Sequence, residues 1–165
     1  MIMFEKIGLT PEAWQLSVLR CDAKRILVRA DRRCGKSTTA AALAVSFAMG
    51  NPGAKVVMVT PSHEMMQVEC IRRFNPLALI RGLTVSMGGS SVIQVISSQG
   101  RGYVPDLLVI DDADLVRYDM ALAIRPMMGN RVAIFATATN TPFDAMIEAS
   151  GTYTFFSTVS LGMGK

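Results

Sequence analysis

The stretch Arg25-Ile26-Leu27-Val28-Arg29-Ala30-Asp31-Arg32-Arg33-Cys34-Gly35-Lys36-Ser37 decides how this chain is read. An apolar block runs into a polar turn, and the turn ends in Gly-Lys-Ser at the head of an alanine-rich run from Ser37 to Met49. The block suits a strand buried on both faces; the alanine run suits a helix closed by Gly50-Asn51-Pro52-Gly53. Strand, turn and helix in that order gather backbone N–H groups at a helix N-terminus, where they can surround phosphate oxygens. Gly35 lets the backbone approach phosphate with no Cβ in the way. Lys36 brings a point charge to the β- and γ-phosphates, and Ser37 and Thr38 follow, with the Ser37 hydroxyl suited to Mg²⁺. Residues 30–37 match the Walker A pattern except that Ala30 stands in place of its first glycine. Gly-Lys-Ser alone could be a chance helix start; its place between a buried strand and a helix favours a phosphate loop.

Some 75 residues further on, Leu107-Leu108-Val109-Ile110 ends in Asp111-Asp112. A buried strand delivers such a pair to the C-terminal edge of a sheet, where ligands bind in α/β folds. Asp111 can there hold Mg²⁺ or its waters, and Asp112 can orient an attacking water, as in a Walker B strand. The same acids could also cap a following helix. Together the two segments predict ATP and Mg²⁺ as the ligands.

The remaining chain alternates strands and helices. A helix is expected from Thr10, as cap, through Pro11 to Cys21. Residues 54–60 form a strand and Pro61–Phe74 a helix, and Leu83–Met87 with Val92–Ile96 make a hairpin about Gly88-Gly89-Ser90-Ser91. A strand over Asp106–Asp111, a helix over Leu115–Arg125, a strand over Arg131–Thr137, a short helix over Phe143–Ala149 and a last strand over Tyr153–Val159 complete the reading. This order predicts an α/β fold, a three-layer P-loop NTPase (RecA-like) sandwich with a mainly parallel central sheet, as one domain over residues 1–165.

Composition agrees. Half of the 165 residues are hydrophobic and 18% are charged, enough apolar mass for a sizeable core and against disorder. The net charge of +4 is compatible with a polyanionic partner, without any run of like charge that would mark a nucleic-acid tail. Cys21, Cys34 and Cys70 are odd in number and match no zinc spacing, which fits a reduced, cytoplasmic protein. Met1–Leu9 carries Glu5 and no long apolar stretch, so no signal peptide is expected, and no run nears the roughly 20 apolar residues of a membrane span.

The motifs taken together resemble the ATPase domain of phage large terminases, the DNA-packaging motors. Leu9-Thr10-Pro11 with Trp14-Gln15 looks like that family's adenine-binding glutamine motif. Arg32-Arg33-Cys34-Gly35-Lys36-Ser37 looks like its deviant Walker A, with an arginine three residues before the glycine. Gly100-Arg101-Gly102 and Pro105-Asp106 lead into the acidic strand as in that family, and Thr137-Ala138-Thr139-Asn140-Thr141-Pro142 is similar to its coupling motif. The resemblance implies ATP-driven movement of double-stranded DNA into a capsid by a homo-oligomeric ring, with a portal and a small terminase subunit as further partners, in the host cytoplasm. It implies Arg32 as the arginine acting in cis, residues 32–38 around the phosphates, and Asn140 sensing the γ-phosphate. Arg101, between two glycines, is the candidate to reach a neighbour's nucleotide, with a solvated loop charge as the rival reading; Arg117, Arg125 and Arg131 are weaker candidates. Two departures stand out. Asp112 occupies the place of the family's usual glutamate, with Asp114 as an alternative, and no carboxylate-rich nuclease segment follows Pro142, so a nuclease is expected on a separate chain or beyond an excised domain, and a lid subdomain is expected to be absent or reduced.

For Gln15 an ordinary helix position competes with adenine reading. Trp14 suits the core, and His63 suits a surface or capping role. The methionine pairs Met65-Met66 and Met127-Met128 suit core or interface packing. Two rivals remain: another P-loop enzyme, such as a helicase lobe, and a weakly active nucleotide-binding structural subunit.

Overall fold

A computed structural model describes residues 3–97, 102–137, 141–144 and 152–157. Eight strands form one sheet: β1 (Arg25–Arg29), β2 (Lys55–Val59), β3 (Leu79–Arg81), β4 (Thr84–Ser86), β5 (Val92–Ile96), β6 (Leu107–Ile110), β7 (Arg131–Ala136) and β8 (Thr154–Ser157). Their order is β3-β4-β5-β2-β6-β7-β1-β8. From β5 to β8 all neighbours run parallel, and only β3–β4 and β4–β5 are antiparallel. The helices are α1 (Ala13–Arg20), α2 (Lys36–Gly50), α3 (Glu64–Phe74) and α4 (Tyr118–Ile124).

The central strands β1, β2, β6 and β7 are apolar throughout except for the arginines and lysine at the ends of β1, β2 and β7, because both faces are covered. Ile26, Val28, Val56, Met58, Leu107, Val109, Ala133 and Phe135 face one layer, built by α2, α3 and Val18 of α1. The alternate residues Leu27, Val57, Val59, Leu108, Ile110, Val132 and Ile134 face the other, with Ala121 and Ile124 of α4 and the buried Met127 and Met128. The predicted three-layer sandwich is therefore the observed one. Within it α2 is buried on most sides through Ala40, Ala41, Ala42, Ala44 and Ala48. Small side chains let this helix lie close against the sheet, which brings the loop at its N-terminus over the strand ends.

Several expected boundaries shift. Glu12, rather than Thr10, caps α1, in a capping box with Gln15. Helix α3 starts at Glu64, three residues after Pro61, with the exposed His63 preceding it. The helix expected over Leu115–Arg125 is broken: a 3₁₀ turn covers Ala113–Leu115, α4 spans Tyr118–Ile124, and a second 3₁₀ turn at Arg125–Met127 holds Pro126. Asp112 thus caps no α-helix. The hairpin β4–β5 is present, and β3 extends it by a strand that three residues made too short to recognise. Met65 and Met66 are exposed, 65% and 51%, while Met127 and Met128 are core. The helix expected over Phe143–Ala149 lies largely outside the described residues.

Candidate functional site

The parallel strands deliver three segments to one edge of the sheet. The loop after β1 leads into α2, the acids Asp111 and Asp112 follow β6, and Thr137 follows β7, the strand between them. All three leave C-terminal strand ends, the edge at which ligands bind in open α/β sheets.

Gly35 caps α2 with φ of 86°, and Arg33 also takes a positive φ of 60°. This curls the loop round the Lys36 side chain. Lys36 is buried, and its ammonium donates to the carbonyls of Ala30 at 2.9 Å and Asp31 at 2.6 Å. An ammonium has three protons, so one remains for a further acceptor. Asp31, Arg32 and Arg33 are exposed; Cys34, Gly35, Ser37 and Thr38 are half-buried. The Cys34 thiol donates to the Asp31 carbonyl, tightening the loop.

Gln15 reaches this loop from α1. It is buried, its Oε1 accepts from the Glu12 N–H at 2.8 Å, and its Nε2 donates to Thr39 Oγ1 at 2.9 Å, with the Gly35 carbonyl 3.5 Å away. Thr39 in turn donates its hydroxyl to the Gly35 carbonyl at 2.7 Å. The amide is thus joined to α1 and to the loop. Trp14 beside it is half-buried against the core and donates to the Glu12 carboxylate.

Asp111 is fully buried. Its side chain lies on the α2–α3 face and accepts from the Gln67 amide at 2.5 Å and the Asp112 N–H at 3.0 Å, and hydrogen bonding toward the Ser37 side chain also favours its charged form. Burial pushes its carboxyl above the ordinary value; the neighbouring Asp112 pushes in the same direction, and the three hydrogen bonds pull back. Asp112 is half-buried and takes the left-handed conformation, φ 49° and ψ 50°, which aspartate tolerates better than most residues. Of three non-glycine residues with positive φ among those described, two, Arg33 and Asp112, lie in this site. Asp114 turns elsewhere: its carboxylate accepts from the Thr137 N–H at 2.6 Å and ties the turn after β6 to the end of β7. Next to that segment, Arg29 pairs with Asp144, whose other oxygen accepts from the Thr141 N–H.

The donor set suits a hard divalent cation. No ion pair reaches Asp111 or Asp112 among the described residues, and their hydrogen-bond donors are neutral. Two polar atoms around Asp111 are buried without a partner, Gln67 Oε1 and Thr60 Oγ1. Thr60 follows β2 at the position beside Asp111 and on the same face. Mg²⁺ is commonly held by one or two protein oxygens plus substrate phosphates. Ser37 and Asp111 fit that pattern, and no cluster of three or more His, Cys, Asp or Glu offers another metal site among the described residues.

The geometry thus brings Gln15, Lys36, Ser37, Asp111 and Asp112 to one sheet edge. It adds Thr39, Gln67 and Thr60, which sequence reading missed because a buried polar residue on an amphipathic helix or at a strand end carries no motif. Arg101 and the segment Ala138–Asn140 lie outside the described residues. The cysteines are free, and burial pushes the Cys70 thiol up, next to Thr38.

A mostly parallel sheet with a glycine-capped loop between its first strand and a buried helix is the fold of P-loop NTPases. More narrowly, the fold is that of phage large terminase ATPase domains. The chain is similar to the large terminase ATPase domain of Thermus phage P74-26, with a TM-score of 0.66 and 22% identity over 82% of this chain and 68% of that one. It is similar also to the large terminase of a second thermophilic bacteriophage, solved with ADP, with a TM-score of 0.65 and 11% identity over 89% of this chain and 45% of that one. That second terminase solved with ATP-γ-S gives a TM-score of 0.62 and 12% identity over 88% of this chain. No protein-family model matches the sequence, and no curated protein matches it. No helix among the described residues is long and apolar enough to cross a membrane.

Proposed function

We propose that this chain is the ATPase domain of a viral large terminase, hydrolysing ATP to move double-stranded DNA into a capsid. The observation that carries the reading is the convergence of the phosphate loop and the acidic strand: one side-chain amide, Gln67 Nε2, lies 2.5 Å from Asp111 Oδ2 and 3.3 Å from the Ser37 carbonyl, one residue from Asp112 and Lys36 respectively. The fold likeness to large terminases, one of them solved with ADP and with ATP-γ-S, supports the choice of nucleotide and motor.

Backbone N–H groups at the start of α2 bind the phosphates, and the remaining Lys36 proton meets a phosphate oxygen. Arg32, exposed in the loop, turns its guanidinium onto the γ-phosphate as charge develops there. Ser37 and Asp111 would hold Mg²⁺, which would supply positive charge against the phosphates. Asp112 orients the attacking water and takes its proton. Its left-handed backbone turns the chain at the strand end, so that Asp111 and Asp112 take different directions. Asp114, bonded to the Thr137 N–H, passes movement at the acidic strand to the coupling segment 137–142. In this reading Arg33 and Cys34 shape the loop and Asn140 senses the γ-phosphate. Arg101 serves a neighbouring subunit in a ring, and the portal, the small terminase subunit and a nuclease on a separate chain or domain are the partners.

Phosphate release from ATP in the presence of Mg²⁺ tests this. Asp112→Asn is expected to bind nucleotide like the wild type and to lose roughly 10²–10⁴-fold in turnover, the usual worth of a general base. Binding without measurable release in the wild type, assembled or not, would instead favour a nucleotide-binding structural subunit.

A further inference from the structure

Gln67 lies on the face of α3 that packs into the core, alongside Val68, Ile71 and Phe74, and it is 0% exposed. An apolar side chain would suit that place. The amide instead donates to Asp111 Oδ2 at 2.5 Å and lies 3.3 Å from the Ser37 carbonyl, which it also meets through Nε2. Both partners are acceptors, so the amide orientation is fixed by them. Its two N–H donors are thereby spent, and Oε1 is buried with no partner among the described residues. Leaving such an acceptor unsatisfied destabilises the fold. A cost of that kind in the core is expected where function constrains the residue.

We propose that Gln67 is a positioning residue of the metal site, holding the Asp111 carboxylate and the Ser37 backbone in register so that carboxylate and hydroxyl meet one cation. This rests on the metal–nucleotide reading above. The chemistry explains why an amide stands here. A lysine or arginine would pair with Asp111 and compete with a divalent cation, and a leucine would leave the carboxylate free to turn. The amide donates hydrogen bonds and adds no charge. It also links a third element, α3, to the α2 and β6 partners of the site. Hydrogen-bonded groups behind a metal-ligating carboxylate are typically worth about 10–100-fold in metal affinity or activity.

The test is calorimetric titration of ADP and ATP-γ-S into wild type, Gln67→Met and Asp111→Asn, each in EDTA and over a Mg²⁺ series. Gln67→Met keeps the volume and removes the amide. It is expected to keep wild-type affinity in EDTA and to lose about 10–100-fold of the Mg²⁺-linked gain. If it does not fold, Gln67→Asn, which withdraws the amide by one methylene, should lose part of the same gain. A wild-type Mg²⁺ dependence in the folded Gln67 variant, with the gain lost in Asp111→Asn, overturns the role of Gln67 alone. An unchanged Mg²⁺ dependence in Asp111→Asn overturns the metal reading beneath it.

Discussion

Asp111 shows at the scale of one residue what the site costs the fold. A carboxylate taken fully out of water beside a second carboxylate is held above its ordinary pKa, by burial first and by Asp112 second. In the unfolded chain it titrates at about 3.9. Between that value and the raised native one, the native state keeps a proton that the unfolded state has lost. Stability therefore falls as pH rises through this window and stays lower above it. Asp111→Asn removes the charge and keeps the shape. In metal-free buffer it is expected to melt higher than the wild type at neutral pH and to match it at about pH 3, where the native carboxyl is neutral in any case. An equal difference at both pH values would show that charge burial is not the cause. The pair Asp111-Asp112 was legible in the sequence because an apolar strand ending in acids, common by itself, follows a phosphate loop by some 75 residues. Their roles relative to Asp114 were not legible. Only the fold shows Asp114 bonded to Thr137, 23 positions away in sequence.

At the scale of elements, the Gln15 side chain carries α1 onto the phosphate loop. A Cβ added at Gly35 would lie 2.8 Å from Gln15 Nε2, at a backbone φ of 86° that L residues rarely adopt. Gly35→Ala thus carries two costs: the left-handed backbone, about 1–2 kcal/mol, and the contact with Gln15. Truncating Gln15 removes only the second. Denaturant melts of Gly35→Ala, Gln15→Ala and the double variant are expected to give a smaller Gly35→Ala penalty in the Gln15→Ala background. Equal penalties would mean that α1 does not press on the loop. The sequence suggested Gln15 for its place in a motif, but its partner Thr39 depends on how α1 packs on α2, which periodicity does not specify. Element boundaries were missed for similar local reasons. Pro126 and the turn at Ala113–Leu115 break what reads as one apolar helix, and β3 is three residues long.

At the scale of the whole molecule, the layers were legible because the apolar blocks are buried on both faces, a pattern that few other architectures use. What no sequence pattern states is strand order. The observed order sets β7 between β1 and β6, so the segment at Thr137 leaves the sheet between the loop and the acids. That placement would join a nucleotide bound at the proposed site to a third segment. Thermal melting of the wild type with millimolar ATP and Mg²⁺, against EDTA and against Lys36→Ala, tests nucleotide binding there most directly. A raised melting temperature is expected with Mg²⁺–ATP, since a ligand at 100 times its Kd adds about 2.7 kcal/mol. Lys36→Ala, compared with its own unliganded state, is expected to lose most of that rise. No rise in the wild type, or an equal rise in Lys36→Ala, would contradict the proposed nucleotide site.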